Sequence, residues 1–362
     1  MKSIIVRAPG RTCLFGDHQD YLGLPIIACA INRYITLKAE QNSSMTLVLN
    51  KPDIGEQRTI DISKPIGTVK KGDYLLAAMK ILEGYGCHPN QGYDVTISGN
   101  LPINAGTSSS SAVIVAWVQF LLSVYGCDQS ITKEFISKVA YEAEVEFHGF
   151  PGGKMDQYSI GLGNIIYLET SGPTFYETFN LKLPGLIVAE SGIPKETTGV
   201  LGQLKEKALL SINQVHQKVP DFDIRAIGPA DLPKYSSYVS DDLKIYLKAA
   251  VLNHDITQKA LKEFKKSDLD FEIIGDLINQ HHQILRDDLQ ITLPLIDNMV
   301  DGAMTAGALG AKIVGSGRGG SIVVLAREGE EDSIIQALKA AGAKNAYSVQ
   351  VDSGVRVIEQ NL

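Results

Sequence analysis

Five consecutive hydroxyl-bearing residues, Thr107 to Ser111, follow Gly106 and lead directly into a long apolar segment. That segment predicts a buried helix which ends at Gly126. The start of a helix presents unpaired backbone N–H groups and a partial positive charge, and small side chains let an anion approach them. A Ser-rich N-cap would explain one hydroxyl but not five in a row. The segment therefore predicts a phosphate-binding loop, which is not a Walker A loop because no Gly-Lys-Ser/Thr follows.

Two other segments concentrate unusual residues. The turn GSGRGG at 315–320 has four glycines in six positions. A tight hairpin is the simpler interpretation of this segment, but a hairpin would need fewer glycines. The segment PGRTCLFGDHQDYLG at 9–23 gathers Arg11, Asp17, His18 and Asp20 between two predicted strands. Carboxylates and a histidine in one loop can bind several hydroxyl groups, although a polar turn with a local ion pair would look similar.

Bulk properties restrict the class of protein. The chain has 362 residues, which favours two domains over one, and its net charge of −7 argues against sequence-independent nucleic-acid binding. The start of the chain does not look like a signal peptide, and no apolar run is long enough to span a bilayer. The four cysteines are scattered, without a CxxC pair, so a reduced cytoplasmic setting is expected.

Taken together and in order, these motifs resemble those of the galactokinase-like GHMP kinases. Residues 9–23 are similar to the first family motif, 101–112 to its phosphate loop and 312–324 to its Gly-rich third motif. Between them, EVEFHGFPGGKMDQYSIGLG at 144–163 matches the galactokinase pattern, as does the segment at 277–300 before the third motif. The resemblance thus covers nearly the whole chain.

The resemblance implies a role for each matched residue in an ATP-dependent sugar kinase. Asp156 would be the catalytic base, and Arg11 would keep it ionised and stabilise charge during transfer. Ser110 and Glu144 would hold Mg²⁺. The sugar ligands would be Asp17, His18, Asp20 and Gly153. The residues that cradle ATP would be Gly106, Thr107, Ser108, Ser109, Ser110, Ser111 and Gly317.

The family resemblance also implies the architecture. It predicts an α+β protein with the two-domain GHMP kinase fold: an N-terminal domain (1–190) with a left-handed βαβ unit, and a ferredoxin-like C-terminal domain (191–362). Local patterns predict helices at 73–85 and 131–148 and a pair of strands at 163–169 and 186–190. His281 and His282 are interpreted as polar surface or capping residues.

Three departures leave the substrate open. Asp17 stands where most galactokinases have Glu, the chain lacks their usual N-terminal stretch, and Lys154 occupies a usually apolar position, where it could meet an anionic sugar or solvent. The expected reaction is phosphorylation of a sugar hydroxyl, the anomeric one being favoured.

A mevalonate kinase is one alternative function, because SGIPKETTGVL at 191–201 resembles part of the mevalonate kinase sequence pattern. A catalytically silent sugar sensor is the other, although both Asp156 and Arg11 are present. The oligomeric state is not predicted.

Overall fold

A computed structural model describes residues 2–103, 105–195 and 198–361, and it contains two β-sheets. The strands are numbered in chain order. They are β1 Ser3–Phe15, β2 Ile26–Gln41, β3 Thr46–Lys51, β4 Glu56–Asp61, β5 Tyr93–Gly99, β6 Ile165–Glu169, β7 Phe175–Phe179, β8 Leu186–Glu190, β9 Gly310–Val314, β10 Ser321–Leu325, β11 Asn345–Ser348 and β12 Arg356–Asn361.

Helices surround and connect these sheets. The α-helices are α1 Tyr74–Glu83, α2 Ser109–Tyr125, α3 Lys133–Tyr141, α4 Met155–Leu162, α5 Thr198–His216, α6 Leu232–Ser236, α7 Lys244–Phe264, α8 Phe271–Gln283, α9 Pro294–Thr305 and α10 Glu331–Ala340. The predicted helix at 73–85 is confirmed as α1, and Asp73 caps it by accepting from the N–H of Leu76. The second prediction is confirmed only in part, since α3 gives way to a π-helical turn at Glu142–Glu146. None of the helices in the described part of the chain is long and apolar enough to cross a membrane.

The first sheet has the order β12-β1-β2-β5-β3-β4, with β6 and β7 continuing from the other end of β2. Strand β1 extends through Pro9 and Gly10 to Phe15, so Arg11 lies within the strand, opposite Ala30 of β2, and not between two strands as the sequence predicts. Strands β3 and β5 are parallel, and α1 lies in the crossover between them. Helix α2 packs against β1 and β2. Its Trp117 is fully buried and donates to the carbonyl of Leu75, which satisfies the indole N–H.

The second sheet is antiparallel, with the order β11-β8-β10-β9. Strands β8, β9 and β10 are buried at every position, as expected for a sheet covered by helices. The chain order is strand, helices, two strands, helix and strand, so this sheet has the predicted ferredoxin-like arrangement. The fold class is therefore confirmed as α+β with two sheets.

The predicted pairing of two strands differs from the structure. Strand β6 pairs with β2 and β7, whereas β8 belongs to the second sheet, so the predicted pairing of 163–169 with 186–190 is wrong. The reason is that β7, which the sequence reading missed, completes the hairpin with β6. The boundary at residue 190 stays a prediction. The sheets are interleaved along the chain, because β8 joins the second sheet and the final strand β12 returns to the first.

Candidate active site

The predicted phosphate loop lies between β5 and α2 and is packed tightly against both sheets. Ser108 has the left-handed φ of 58°, and its carbonyl accepts the first helical bond, from the N–H of Ala112. The hydroxyl of Ser321 donates to the carbonyl of Ala105. A Cβ on Gly106 would lie 3.3 Å from the carbonyl oxygen of Val314, and its φ of 86° also favours glycine. The loop thus leaves the first N–H groups of α2 available to an anion.

Arg11 and Asp156 form an ion pair although 145 residues separate them. The Nε and Nη2 of Arg11 donate to Oδ1 of Asp156 at 2.8 and 2.7 Å, and the hydroxyl of Ser108 donates to Oδ2. Burial alone would raise the pKa of Asp156, but the positive charges of Arg11 and Lys195 and the hydrogen bond from Ser108 outweigh it. The pKa therefore lies below its ordinary value, and the carboxylate is ionised at neutral pH.

Glu144 lies in the π-helical turn, facing the start of α2. Its Oε2 accepts from Nε2 of Gln157 at 2.6 Å, and the hydroxyls of Ser110 and Ser111 lie beside the carboxylate. Burial raises the pKa of Glu144, and these neutral donors offset only part of that effect. Ser110 and Glu144, both predicted metal ligands, are therefore neighbours. A half-buried carboxylate that forms no direct ion pair with the described residues is suited to a cation.

The loop after β1 holds the predicted sugar ligands, but Asp17 is already engaged. Its Oδ1 accepts from the N–H of Gly315 at 2.7 Å, and its Oδ2 forms an ion pair with Lys312 of β9. Both side chains of this pair are 0% exposed. Burial opposes ionisation of Asp17, yet Lys312 and the Gly315 N–H hold its pKa at about 2. The contact of Asp17 with sugar stays a prediction.

Asp20 is held differently from Asp17. One carboxylate oxygen accepts from the N–H of Tyr21 at 2.9 Å, whereas a Cβ on Gly153 would lie 2.1 Å from the other. Only glycine fits there without displacing the carboxylate. Burial, with the negative charge of Asp156 nearby, raises the pKa of Asp20 to about 7. At neutral pH its carboxyl group is therefore poised to accept or donate a hydrogen bond to a hydroxyl.

One cavity of about 420 Å³ brings these groups together. Its wall contains every predicted catalytic and sugar-binding residue and both predicted metal ligands: Arg11, Asp17, His18, Asp20, Ser110, Glu144, Gly153 and Asp156. Lys154, whose direction the sequence left open, is not among the residues that line it. The volume suits a small polar molecule.

A second cavity, of about 550 Å³, adjoins the first and shares Ser110 and Tyr74 with it. Its wall is mainly aliphatic: Ile35, Ile97, Leu101, Ile103, Val113 and Ile114. Charged side chains also line it: the cations Lys51, Arg58, Lys70 and Lys71, and the carboxylates Asp53, Glu56 and Asp73, of which Glu56 pairs with Lys51 and Asp73 with Arg58. An apolar pocket beside a helix start and several cations suits a flat heterocycle that carries phosphates.

The predicted nucleotide residues fall into two groups. Ser109 and Ser110 line the second cavity, whereas Thr107, Ser108 and Ser111 are buried beside it. Gly317 lines neither cavity. A Cβ there would lie 2.6 Å from Cβ of Ile291, so this glycine is required for close packing of the turn. Contacts of these residues with ATP stay predictions.

Several residues of the site were missed by the sequence reading. Lys195 and Gln157 line the first cavity, and Lys312 anchors Asp17. The interpretation of His281 and His282 as surface residues is wrong, since both are buried. The ring of His281 stacks on Phe15, and burial, together with the charge of Lys312, lowers its pKa to about 3. The only signal for Lys195 was its place in the segment SGIPKETTGVL.

Comparisons with known proteins match most of the chain. Residues 73–164 match the GHMP kinases N-terminal domain, 258–344 the GHMP kinases C-terminal family, and 1–40 the galactokinase galactose-binding signature. A galactokinase of Thermotoga neapolitana is 30% identical, and the alignment covers 93% of each chain.

Solved structures show the same fold. The galactokinase of Lactococcus lactis, crystallised with galactose, superimposes with a TM-score of 0.84 at 21% identity, covering 98% of this chain and 95% of that one. The mevalonate kinase of Methanococcus jannaschii gives 0.72 at 20% identity, covering 96% and 98%. At these identities the likeness concerns the fold alone.

Proposed function

This chain belongs to the GHMP kinase family, and we propose that it is an ATP-dependent sugar kinase which transfers the γ-phosphoryl group to a hydroxyl of a hexose. Galactose is the first candidate, because residues 1–40 match the galactose-binding signature. The proposed acceptor is the anomeric hydroxyl.

The observation that carries this proposal is the position of the Arg11–Asp156 pair. Its carboxylate faces a polar cavity whose wall also contains Ser110, the residue where the helix-start loop and the second cavity meet. A sugar in the first cavity and a nucleotide in the second would therefore meet at the start of α2. This is the placement that direct phosphoryl transfer requires.

The reaction follows from these charges. The substrate hydroxyl donates to the carboxylate of Asp156, its oxygen forms a bond to the γ-phosphorus, and the bond from that phosphorus to the ADP oxygen breaks. The hydroxyl proton passes to Asp156. Because the pKa of Asp156 is low, we expect the proton to move late, after most of the phosphorus–oxygen bond has formed. Arg11 keeps the carboxylate ionised and oriented.

Mg²⁺ fits the donor set beside the phosphate loop. Mg²⁺ prefers hard oxygen ligands and commonly binds through one or two carboxylates plus substrate phosphates. Ser110 and Glu144 supply such oxygens, and Glu144 is half-buried and forms no direct ion pair with the described residues. Bound there with ATP, the ion would neutralise charge on the phosphates.

The two alternative functions have less support. Mevalonate kinase shares the fold, but the match to the galactose-binding signature and a 30% identical galactokinase favour a sugar. A silent sensor would not need an ionised Asp156 held by Arg11 at the cavity wall. Neither alternative is proposed.

The test is an ATP-dependent phosphorylation assay with Mg²⁺ across aldohexoses, uronic acids and mevalonate, with product identification by ³¹P NMR. We expect turnover of a hexose, and Asp156→Asn should lower kcat by about 10³-fold. Glu144→Gln should raise the Mg²⁺ concentration needed for half-maximal rate. Its matched control is Glu142→Gln in the same turn, which should change little because Glu142 only pairs with Lys138. Turnover of mevalonate alone, or of nothing, would contradict the proposal.

A further inference from the structure

Lys195 is the one lysine in the wall of the first cavity, as far as the described residues show. It lies in the segment between β8 and α5, outside the family motifs that contain most of the other cavity residues. Its nearest charged neighbours include Asp156, Glu144 and Arg11. Yet no carboxylate in the described ranges lies within 4.0 Å of its ammonium group. The ammonium group of Lys195 therefore interacts with the charge of Asp156 at a distance but forms no direct ion pair with it.

The Gly-rich turn fixes the segment that leads to Lys195. The N–H of Gly320 donates to the carbonyl of Ile193 at 2.8 Å, and the N–H of Ser191 donates to the carbonyl of Gly320 at 2.9 Å. A Cβ on Gly319 would lie 2.7 Å from the carbonyl oxygens of both Ile193 and Pro194. Glycine is therefore required in the turn so that residues 191–194 can approach and Lys195 can enter the cavity.

The same turn also contacts the phosphate loop. Ser321, directly after the turn, donates to the carbonyl of Ala105, and a Cβ on Gly320 would lie 3.4 Å from that oxygen. The turn is accordingly packed between the phosphate loop on one side and the segment of Lys195 on the other. It sets the position of the lysine relative to the helix start that would bind the nucleotide phosphates.

Charge around Lys195 supports a role in binding an anion. Burial lowers the pKa of Lys195, and the attraction of Asp156 offsets part of that effect. Lys195 is half-buried, and an ammonium group that is partly withdrawn from water is stabilised by a bound anion. Asp156 already accepts from Arg11 and Ser108, and Glu144 accepts from Gln157. A bound phosphoryl group would provide the missing partner.

Resting on the sugar-kinase proposal above, we propose that Lys195 is a catalytic residue which contacts the γ-phosphoryl group during its transfer. Its ammonium group supplies a second positive charge beside Arg11, and its three N–H donors suit phosphoryl oxygens. Lys195 stays protonated throughout. The proton of the sugar hydroxyl goes to Asp156, and the electron pair of the broken bond leaves with ADP. The lysine stabilises charge that is greatest in the transition state, so it acts on kcat more than on binding.

The test compares Lys195→Met, Lys195→Arg and the matched control Lys154→Met, all assayed with the hexose that wild-type enzyme phosphorylates. Lys154 is near Asp156 in sequence but does not line the cavity. We expect Lys195→Met to lower kcat by about 10²-fold or more, the loss found on removing one transition-state donor. The Kd of the sugar, measured without ATP, should change less than about threefold. Lys195→Arg should recover at least a tenth of the wild-type kcat, and Lys154→Met should keep about the wild-type value.

Thermal unfolding distinguishes a catalytic loss from a folding defect. We expect the Tm of Lys195→Met to match that of wild type, because the side chain makes no ion pair with the described residues. A Lys195→Met variant with kcat within threefold of wild type would overturn the inference, as would a lost kcat that Lys195→Arg does not restore. If wild-type enzyme is active and Asp156→Asn inactive, such results refute the role of Lys195 alone. If wild-type enzyme phosphorylates no sugar, the sugar-kinase proposal itself fails.

Discussion

Two buried ion pairs anchor the loop motifs of this kinase, and they differ in what the carboxylate can still do. In the first pair, the side chain of Asp156 remains 26% exposed while that of Arg11 is 2% exposed. In the second pair, Asp17 and Lys312 are both 0% exposed. The first carboxylate is ionised and accessible to a substrate, whereas the second joins the sugar loop of β1 to β9 of the second sheet. The exposed fraction of the carboxylate therefore distinguishes a catalytic ion pair from a structural one, whereas the presence of an ion pair does not.

The comparison also bears on the substitution of Asp for the usual Glu at position 17. Both oxygens of Asp17 are bound, one by Lys312 and one by the N–H of Gly315. The Gly-rich turn that begins at Gly315 is thereby attached to the loop that carries His18 and Asp20. The shorter side chain fits a role in which the carboxylate holds two segments together. We therefore predict that recognition of hydroxyl groups depends more on Asp20 than on Asp17.

The largest effect on stability is expected from Lys312→Met, which leaves the buried charge of Asp17 unpaired. Removing one member of a buried pair costs about 3–5 kcal/mol of the free energy of unfolding. The double variant with Asp17→Asn should be more stable than Lys312→Met alone. Denaturant titration measures both. Lys244→Met is the control, because Lys244 forms an exposed pair with Asp241 that is worth at most about 1 kcal/mol. Equal losses in the two lysine variants would remove the distinction drawn here.

A smaller effect is expected from the pH dependence of the second pair. Asp17 has a pKa of about 2 in the folded protein, below the value near 3.9 of an unfolded chain. The unfolded state therefore binds more protons in this range, and stability falls as the pH decreases through the folded pKa. The contribution, fully present above about pH 4, is about 2–3 kcal/mol. Unfolding of wild type and Asp17→Asn at several pH values between 2 and 6 measures it. A stability difference that does not change with pH would contradict the assignment.

The pH dependence expected from Asp20 has the opposite sign. Its pKa is about 7 in the folded protein, so the folded state binds more protons than the unfolded one between about pH 4 and 7. Its contribution to stability is present at acidic pH and is lost as the pH rises through 7. Relative to Asp20→Asn, which cannot ionise, wild type should therefore lose stability between pH 5 and 8. Thermal unfolding of both proteins across that range would show parallel curves if Asp20 were ionised throughout.

The residues that line the site were predicted from the sequence better than the residues that hold them in place. Arg11, Ser110, Glu144 and Asp156 were identified from ordered motifs, and the structure brings them to one cavity. Lys312 could not be identified because it lies in a strand where every residue is buried, and nothing local shows which carboxylate it meets. Lys195 could not be placed because its position depends on contacts with a turn 120 residues away. Which residues pair across a long sequence separation depends on tertiary packing, and the local sequence pattern carries no information about that packing.

The most direct test of the difference between the two ion pairs compares Asp156→Asn with Asp17→Asn. Both kcat and the free energy of unfolding are measured for each variant. We expect Asp156→Asn to lose nearly all turnover and to lose less stability than Asp17→Asn, because the side chain of Asp156 is 26% exposed whereas that of Asp17 is 0% exposed. Asp17→Asn should lose stability while the fraction that remains folded keeps substantial turnover. The opposite pattern, with Asp17→Asn stable but inactive and Asp156→Asn active, would show that the buried pair carries the chemistry and would contradict this account.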